Sequence, residues 1–264
     1  MKIKTKVNKH FKEFIKDNEK SLYFLLGGYG SGKSYVAAFK LIIMSAMEKR
    51  KILVVRQVKE NLRGSCFADL ESSIETLGLN NYFYSTTSPL SIKCTITGSE
   101  FIFRGLDDVR KIKSIKDIDT IWIEEADEID FKSFKELKAR LRSVRNRNVI
   151  ILTTNPNEYG VWTYKYLMSI LNKAGKAELD LYNERIIDVV EETKLKSGKV
   201  YSENIYLHHS VYSDNKFLPD DFIALLENET DDFQRAIKTL GRFGSSGQNI
   251  FRNIRHMDQE RIEN

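Results

Sequence analysis

The sequence predicts an α/β fold: a P-loop NTPase of the additional-strand (ASCE) type, with a mainly parallel central sheet wrapped by helices and a small C-terminal lid subdomain. Three observations predict it. The apolar run Leu22-Tyr-Phe-Leu-Leu26 stops at a glycine-rich loop, Gly27-Gly-Tyr-Gly-Ser-Gly32-Lys33-Ser34. Further apolar runs of strand length, Lys51–Arg56, Thr120–Ile123 and Asn148–Thr154, alternate with segments of helical pattern. Strands that are apolar throughout are covered on both faces, as in parallel sheets. Finally, Thr120-Ile-Trp-Ile-Glu124-Glu125 brings two adjacent acids to the end of one such strand.

The elements follow in order. Phe11–Lys20 has the pattern of a short amphipathic helix, and Leu22–Leu26 is a buried strand. A helix starts near Gly32 and runs through Met47, with Val36, Phe39, Leu41, Ile43 and Met47 at apolar positions. Lys51–Arg56 is a second buried strand, and Leu62–Leu77 is helical. Ser91–Phe103 reads as a hairpin, because Ile92, Cys94 and Ile96 alternate with polar residues and Gly98 supplies a turn. Thr120–Ile123 is a third buried strand and Phe131–Val144 a basic helix. Asn148–Thr154 is a fourth strand, stopped by Asn155-Pro156. After about residue 175 the pattern weakens. Lys194–Lys199 reads as a turn or linker, Tyr201–Val211 as a strand and Asp220–Leu240 as helix. The expected division is a P-loop ATPase core over residues 1–194, a lid over 195–251 and a polar tail or linker over 252–264.

Composition narrows the class. The chain has 264 residues, 41% apolar and 30% charged, enough for one large domain with a lid and too apolar for disorder. Lys and Arg exceed Asp and Glu by 42 to 37, a net charge of +5 that permits a nucleic-acid partner without arguing for one. Two cysteines, Cys66 and Cys94, cannot organise a chain this long, and free thiols suit a reducing cytosol. Met1–Lys20 is charged throughout and lacks the apolar core of a secretory signal, and no apolar run spans a bilayer. No membrane association is expected.

The loop fits G-x-x-x-x-G-K-[ST]. Its glycines allow consecutive N–H groups to turn inward around phosphate oxygens, and the following helix adds its positive N-terminal dipole. Gly27, Gly28, Tyr29, Gly30, Ser31, Gly32, Lys33 and Ser34 are therefore read as the ATP site. Lys33 reaches the β- and γ-phosphates and the Ser34 hydroxyl ligates Mg²⁺. Neighbours on a strand point to opposite faces. Glu124 is accordingly assigned to Mg²⁺, and Glu125, just past the strand, to the attacking water. Asn155, ending the next strand in Thr153-Thr-Asn155-Pro156, is read as a γ-phosphate sensor. The bland alternatives are a flexible turn, solvated acids opening a helix beside Asp127, Glu128 and Asp130, and an ordinary strand-ending turn.

Two basic groups, Arg140, Arg142, Arg145 and Arg147, and Arg56, Lys59 and Arg63, suit either a DNA backbone or a solvated face. His208 and His209 adjoin on a strand and face opposite ways, with no cysteine or acid at ligand spacing. They read as structural, and no zinc site is expected.

The ordered motifs resemble the ATPase half of the large terminase subunit of tailed bacteriophages, in the group that includes the defective-prophage type. The likeness is carried by Gly27–Ser34, by Leu53–Asp69 with Arg56 and Arg63-Gly-Ser-Cys, and by Gly105-Leu-Asp-Asp108 with Lys111-Ile-Lys-Ser114. Ile121–Glu125, Val211–Asn215 with Leu218-Pro219, and Leu240-Gly-Arg-Phe-Gly244 complete it. The resemblance implies a motor that hydrolyses ATP to drive double-stranded DNA into a procapsid. The implied partners are DNA, a portal protein, the small terminase subunit and further copies in a ring on the portal, the chain alone being monomeric. The implied location is the host cytoplasm, with transient docking on the procapsid. Family members commonly carry a C-terminal nuclease; none is expected in these residues. They also commonly place an arginine in the P-loop where this chain has Tyr29. For the family's trans-acting arginine the nearest match is Lys113, with Arg110 as alternative.

Other readings compete: another P-loop translocase or helicase, or a nucleotide-switched assembly module with little turnover. A second helicase core does not fit after residue 175. A GTPase is disfavoured by the absence of N-K-x-D.

Overall fold

The computed structural model describes residues 7–106 and 115–247. Among them, nine strands form one sheet in the order β3-β4-β5-β2-β6-β7-β1-β9-β8. The strands are β1 Leu22–Gly27, β2 Lys51–Arg56, β3 Phe83–Thr87, β4 Leu90–Cys94, β5 Glu100–Gly105, β6 Thr120–Glu124, β7 Val149–Thr154, β8 Ile186–Lys194 and β9 Val200–Ser210. From β5 to β9 all neighbours are parallel. Antiparallel strands finish both edges, β3 and β4 on one side and β8 on the other. Strand β7 stands between the loop strand β1 and the acidic strand β6, the arrangement of the additional-strand class.

The central strands are uniformly apolar because both faces are covered. On one face Phe11, α1 (Lys12–Lys16), α2 (Lys33–Met47) and α3 (Ala68–Thr76) pack against Tyr23, Val54 and Trp122. On the other, α4 (Phe131–Lys138), α5 (Trp162–Lys173) and α6 (Glu178–Glu184) pack against Phe24, Leu53 and Ile123. Parallel register brings the C-terminal ends of β1, β2, β6, β7 and β9 to one edge, where ligands of open α/β sheets sit.

Three expectations need correction. The boundary at residue 195 falls in the turn of the β8–β9 hairpin. Strand β9 registers on β1 from Leu22↔Ile205 to Gly27↔Ser210, so residues 200–210 belong to the central sheet and not to a lid. The basic helix after β6 stops at Lys138, and the Ser143 and Asn148 side chains tie the following residues into local turns. The helix over 220–240 is broken: α7 (Asp220–Glu227) ends at Asn228, and Asp231 caps a new start at Asp232–Gln234 that continues as a π-turn, Arg235–Thr239. Strand β3, half-polar and without strong alternation, carries no strand signature in the sequence. The tail over 252–264 lies outside the described residues.

A buried cation joins the N-terminal turn to the loop helix. Lys40 of α2 is 1% exposed, donates to the carbonyls of Phe14 and Asp17, and lies 4.7 Å from the Tyr23 ring centroid. Burial lowers its pKa from 10.5 to about 7, against the opposing pull of Asp17. Between those values the unfolded chain binds the extra proton, so this residue makes stability rise with pH from about 7 toward 10. Urea unfolding of the wild type is expected to show that rise, and Lys40→Met to lose it. Equal pH slopes in both would contradict the assignment.

Candidate nucleotide-binding and hydrolysis site

The chain turns from β1 into α2 within the segment Gly28–Gly32. Gly30 and Gly32 have φ of +67° and +90°, the left-handed region open to glycine at little cost. Gly28 is excluded from bearing a side chain for another reason: a Cβ there would overlap the Lys238 carbonyl oxygen. The Gly28 N–H donates to the Ser210 carbonyl at 3.0 Å and the Tyr29 N–H to the Lys238 carbonyl at 2.8 Å. These two N–H groups, expected on phosphate, are therefore occupied in this conformation, one by the end of β9 and the other by Lys238.

Leu218 and Phe222 cover Gly30, and beyond Tyr29 the loop N–H groups have no backbone partner among the described residues. The first helical backbone bond runs from Val36 to the Gly32 carbonyl at 3.1 Å, leaving the N–H groups of Lys33, Ser34 and Tyr35 without an intrahelical acceptor. The Ser31 hydroxyl is buried without a partner. The Lys33 ammonium is buried and donates to Asn155 Oδ1 at 2.6 Å. Burial lowers its pKa, while Glu124 and then Asp127 pull it back up. An orphaned hydroxyl, unmatched N–H groups at the start of a 15-residue helix and a cation in reach form a fitting phosphate cradle.

Glu124 ends β6 and is buried. Trp122 Nε1 donates to Thr153 Oγ1 at 2.9 Å, and the Thr153 hydroxyl donates to the Glu124 carboxylate. This relay across β6 and β7 fixes the carboxylate beside the loop. Thr154 donates to Asp127 at 2.8 Å, and burial raises the Asp127 pKa despite that bond and the nearby Lys33. Asp69, on α3, is raised to about 6 by burial and then by Glu124. Mg²⁺ characteristically uses one or two carboxylates plus waters and substrate phosphates. Glu124, with Ser34 in the first turn of α2, fits that requirement.

Glu125 has φ +50° and ψ +58°, a left-handed conformation that costs a non-glycine residue about 1–3 kcal/mol. Its carboxylate pairs with the Arg56 guanidinium, and Glu128 lies 3.7 Å from the same group. Arg56 ends β2, is 8% exposed, and also donates to Ser65 Oγ at 3.2 Å. It therefore faces inward, which corrects both surface readings of Arg56, DNA contact and solvated face. Arg56, Asp69 and Asp127 belong to the site and were missed. Arg56 and Asp127 are marked in the sequence only by lying at or near strand ends, and Asp69, on α3, carries no such mark, because the contacts join segments far apart in the chain. Arg110, Lys111 and Lys113 lie outside the described residues.

A cavity of about 390 Å³ opens beside Ser31 and Gly32. Phe11, Tyr35, Phe39 and Phe217 make it largely apolar, and Asn215, which donates to the Gly30 carbonyl at 2.7 Å, ties its rim to the loop. Flat aromatic walls next to a phosphate cradle suit a nucleobase.

The remaining candidates lie elsewhere. Arg140 is 3.4 Å from Glu136, while Arg142 and Arg145 are exposed at the opposite end of the sheet. His208 stacks on Phe11 with centroids 4.7 Å apart, and burial keeps its pKa well below the usual value. His209 reaches the Leu240 and Gly241 carbonyls, and burial lowers its pKa to about 4. Both rings are neutral packing groups.

A family model described as "Phage terminase large subunit" matches residues 19–242. The chain is 34% identical over 261 residues to the PBSX phage terminase large subunit of Bacillus subtilis (strain 168), covering 97% of this chain and 57% of that protein. It is 28% identical over 263 residues to the terminase large subunit of Bacillus phage SPP1, covering 96% and 57%. The fold is similar to the large terminase of a thermophilic bacteriophage solved with ADP: TM-score 0.64, 14% identity, 89% of this chain and 53% of that one. The chain thus spans a little over half the length of these curated relatives.

Proposed function

The chain belongs to the phage terminase large subunit family, and on that premise we propose that it is the ATP-hydrolysing motor segment that drives double-stranded DNA into a procapsid. One observation carries this reading. The Lys33–Asn155 contact gathers the loop, the γ-phosphate sensor position and the acidic strand at one sheet edge, with Glu124 and Glu125 beside them.

In this reading Lys33 and the N–H groups from Gly30 to Tyr35 hold the phosphates, and the aromatic cavity takes the base. Bound Mg²⁺, held by Ser34 and Glu124, would neutralise charge on the β- and γ-oxygens. Lys33 exchanges Asn155 for phosphate, and Asn155 then senses the γ-phosphate. Glu125 accepts a proton from the attacking water, which first requires release from Arg56. While paired, its charge is already committed and it is a poor base. The segment from Val211 onward, bonded to the loop through Tyr29 and Gly30, is proposed as the lid that reads loop geometry.

Lys113, or Arg110, is proposed to supply a cation to a neighbouring subunit's nucleotide in a ring on the portal. Host cytoplasm and contact with the small subunit follow from the same reading. No helix among the described residues is long and apolar enough to cross a membrane.

The test is steady-state phosphate release with linear duplex DNA and portal, alone and combined. Turnover is expected to rise on assembly. Mixing Glu125→Gln with Lys113→Ala or Arg110→Ala subunits should recover part of it, because each offers the group the other lacks. The same low rate under every condition would favour a nucleotide switch over a motor.

A further inference from the structure

The β8–β9 hairpin is longer than the sheet needs. Pairing of β9 with β1 begins at Ile205, opposite Leu22, but pairing of β9 with β8 continues to Val200, opposite Lys194. The pairs Glu191↔Glu203 to Lys194↔Val200 therefore form a two-stranded ribbon outside the sheet. At about 3.3 Å per residue it projects roughly 13 Å before its turn. Because β9 is parallel to β1, the ribbon leaves the sheet at the edge opposite the phosphate loop.

Its charge is sorted along its length. At the base, Glu191 pairs with Lys173 at 2.8 Å and Glu203 with Lys138 at 2.7 Å, so two helices neutralise two of its acids. Glu192 is the third acid and is exposed. Beyond them Lys194, Lys196 and Lys199 crowd the turn, with no carboxylate partner among the described residues. Apolar groups stay in solvent there: Leu195 is 43% exposed, Val200 50% and Tyr201 51%. Ordering a ribbon that buries so little costs conformational entropy without an internal return.

We propose that this ribbon is a DNA-contacting arm, in which Lys194, Lys196 and Lys199 meet phosphates of the duplex while Leu195 and Tyr201 lie against its sugars. The inference rests on the packaging reading and adds the surface that holds the cargo. A duplex groove admits a two-stranded ribbon, and lysines on phosphates bind without sequence preference, as a translocated polymer requires. Placement opposite the P-loop lets DNA and nucleotide be held together.

The test is fluorescence anisotropy of a labelled linear duplex over a salt series. Each phosphate-bound lysine contributes about 0.9 to the slope of log affinity against log salt. Lys194→Ala/Lys196→Ala/Lys199→Ala should lower that slope by about 2–3. A matched triple at exposed Lys12, Lys132 and Lys165 should leave it near wild type. ATP affinity should be unchanged in both, and arginine at the three ribbon positions should preserve the slope. A wild-type slope in the ribbon triple, or an equal fall in the matched triple, overturns the arm while leaving the packaging reading intact. Absence of any salt-dependent binding by the wild type overturns both.

Discussion

Glu125→Gln is expected to bind Mg-ATP with near wild-type affinity and to turn it over about 10²–10⁴-fold more slowly, the range for lost general-base assistance. The geometry separates the two functions. Phosphate is held by Lys33 and the open N–H groups of the loop, none of which touches Glu125 in this structure. Glutamine has nearly the same shape, so the left-handed turn at residue 125 is not further strained. It cannot accept the water's proton. Glu124→Gln should behave differently: it keeps the Thr153 contact but loses the charge facing Mg²⁺, so its defect should appear as weakened Mg²⁺ dependence. Calorimetry and phosphate release measure the two variants side by side. Normal turnover in Glu125→Gln with a dead Glu124→Gln would reverse the two roles.

Lys33→Ala is expected to lose at least about 30-fold in ATP affinity, the lower end of about 2–5 kcal/mol for removing one partner of a buried charge pair. The group is buried, so solvent screening dilutes the loss little. Its removal also takes away the cation that Glu124 and Asp127 face, so carboxylate charge beside the loop adds to the repulsion of the triphosphate. Calorimetric titration with ATP and with adenosine checks this. Adenosine binding should be little changed, because the aromatic cavity does not involve Lys33. Equal ATP affinity in variant and wild type would remove Lys33 from the site.

Much of this was legible in the sequence, for a local reason. Strands β1, β2, β6 and β7 are buried on both faces, so their apolar runs stand out, and the loop and acids sit directly at their ends. What could not be read depends on pairing across the chain. Strand β9 follows a polar turn and reads as part of a separate subdomain until the register of residues 205–210 on β1 is known, which is why the lid boundary falls too early. Arg56 looked like one of several surface cations, and only folding shows it buried against Glu125. Gly28 and Tyr29 fit the phosphate motif, yet Ser210 and Lys238 take their N–H groups.

The central claim is that water attacks ATP between Lys33 and Glu125, with Glu125 freed from Arg56 for the step. A crystal structure of the chain with Mg²⁺, ADP and aluminium fluoride measures this most directly. The account predicts the fluoroaluminate within hydrogen-bond reach of Lys33 Nζ, Lys33 withdrawn from Asn155, and the Glu125 carboxylate turned from Arg56 onto the water in line with the leaving oxygen. A fluoroaluminate complex in which Glu125 still pairs with Arg56, and another group holds the water, would contradict it.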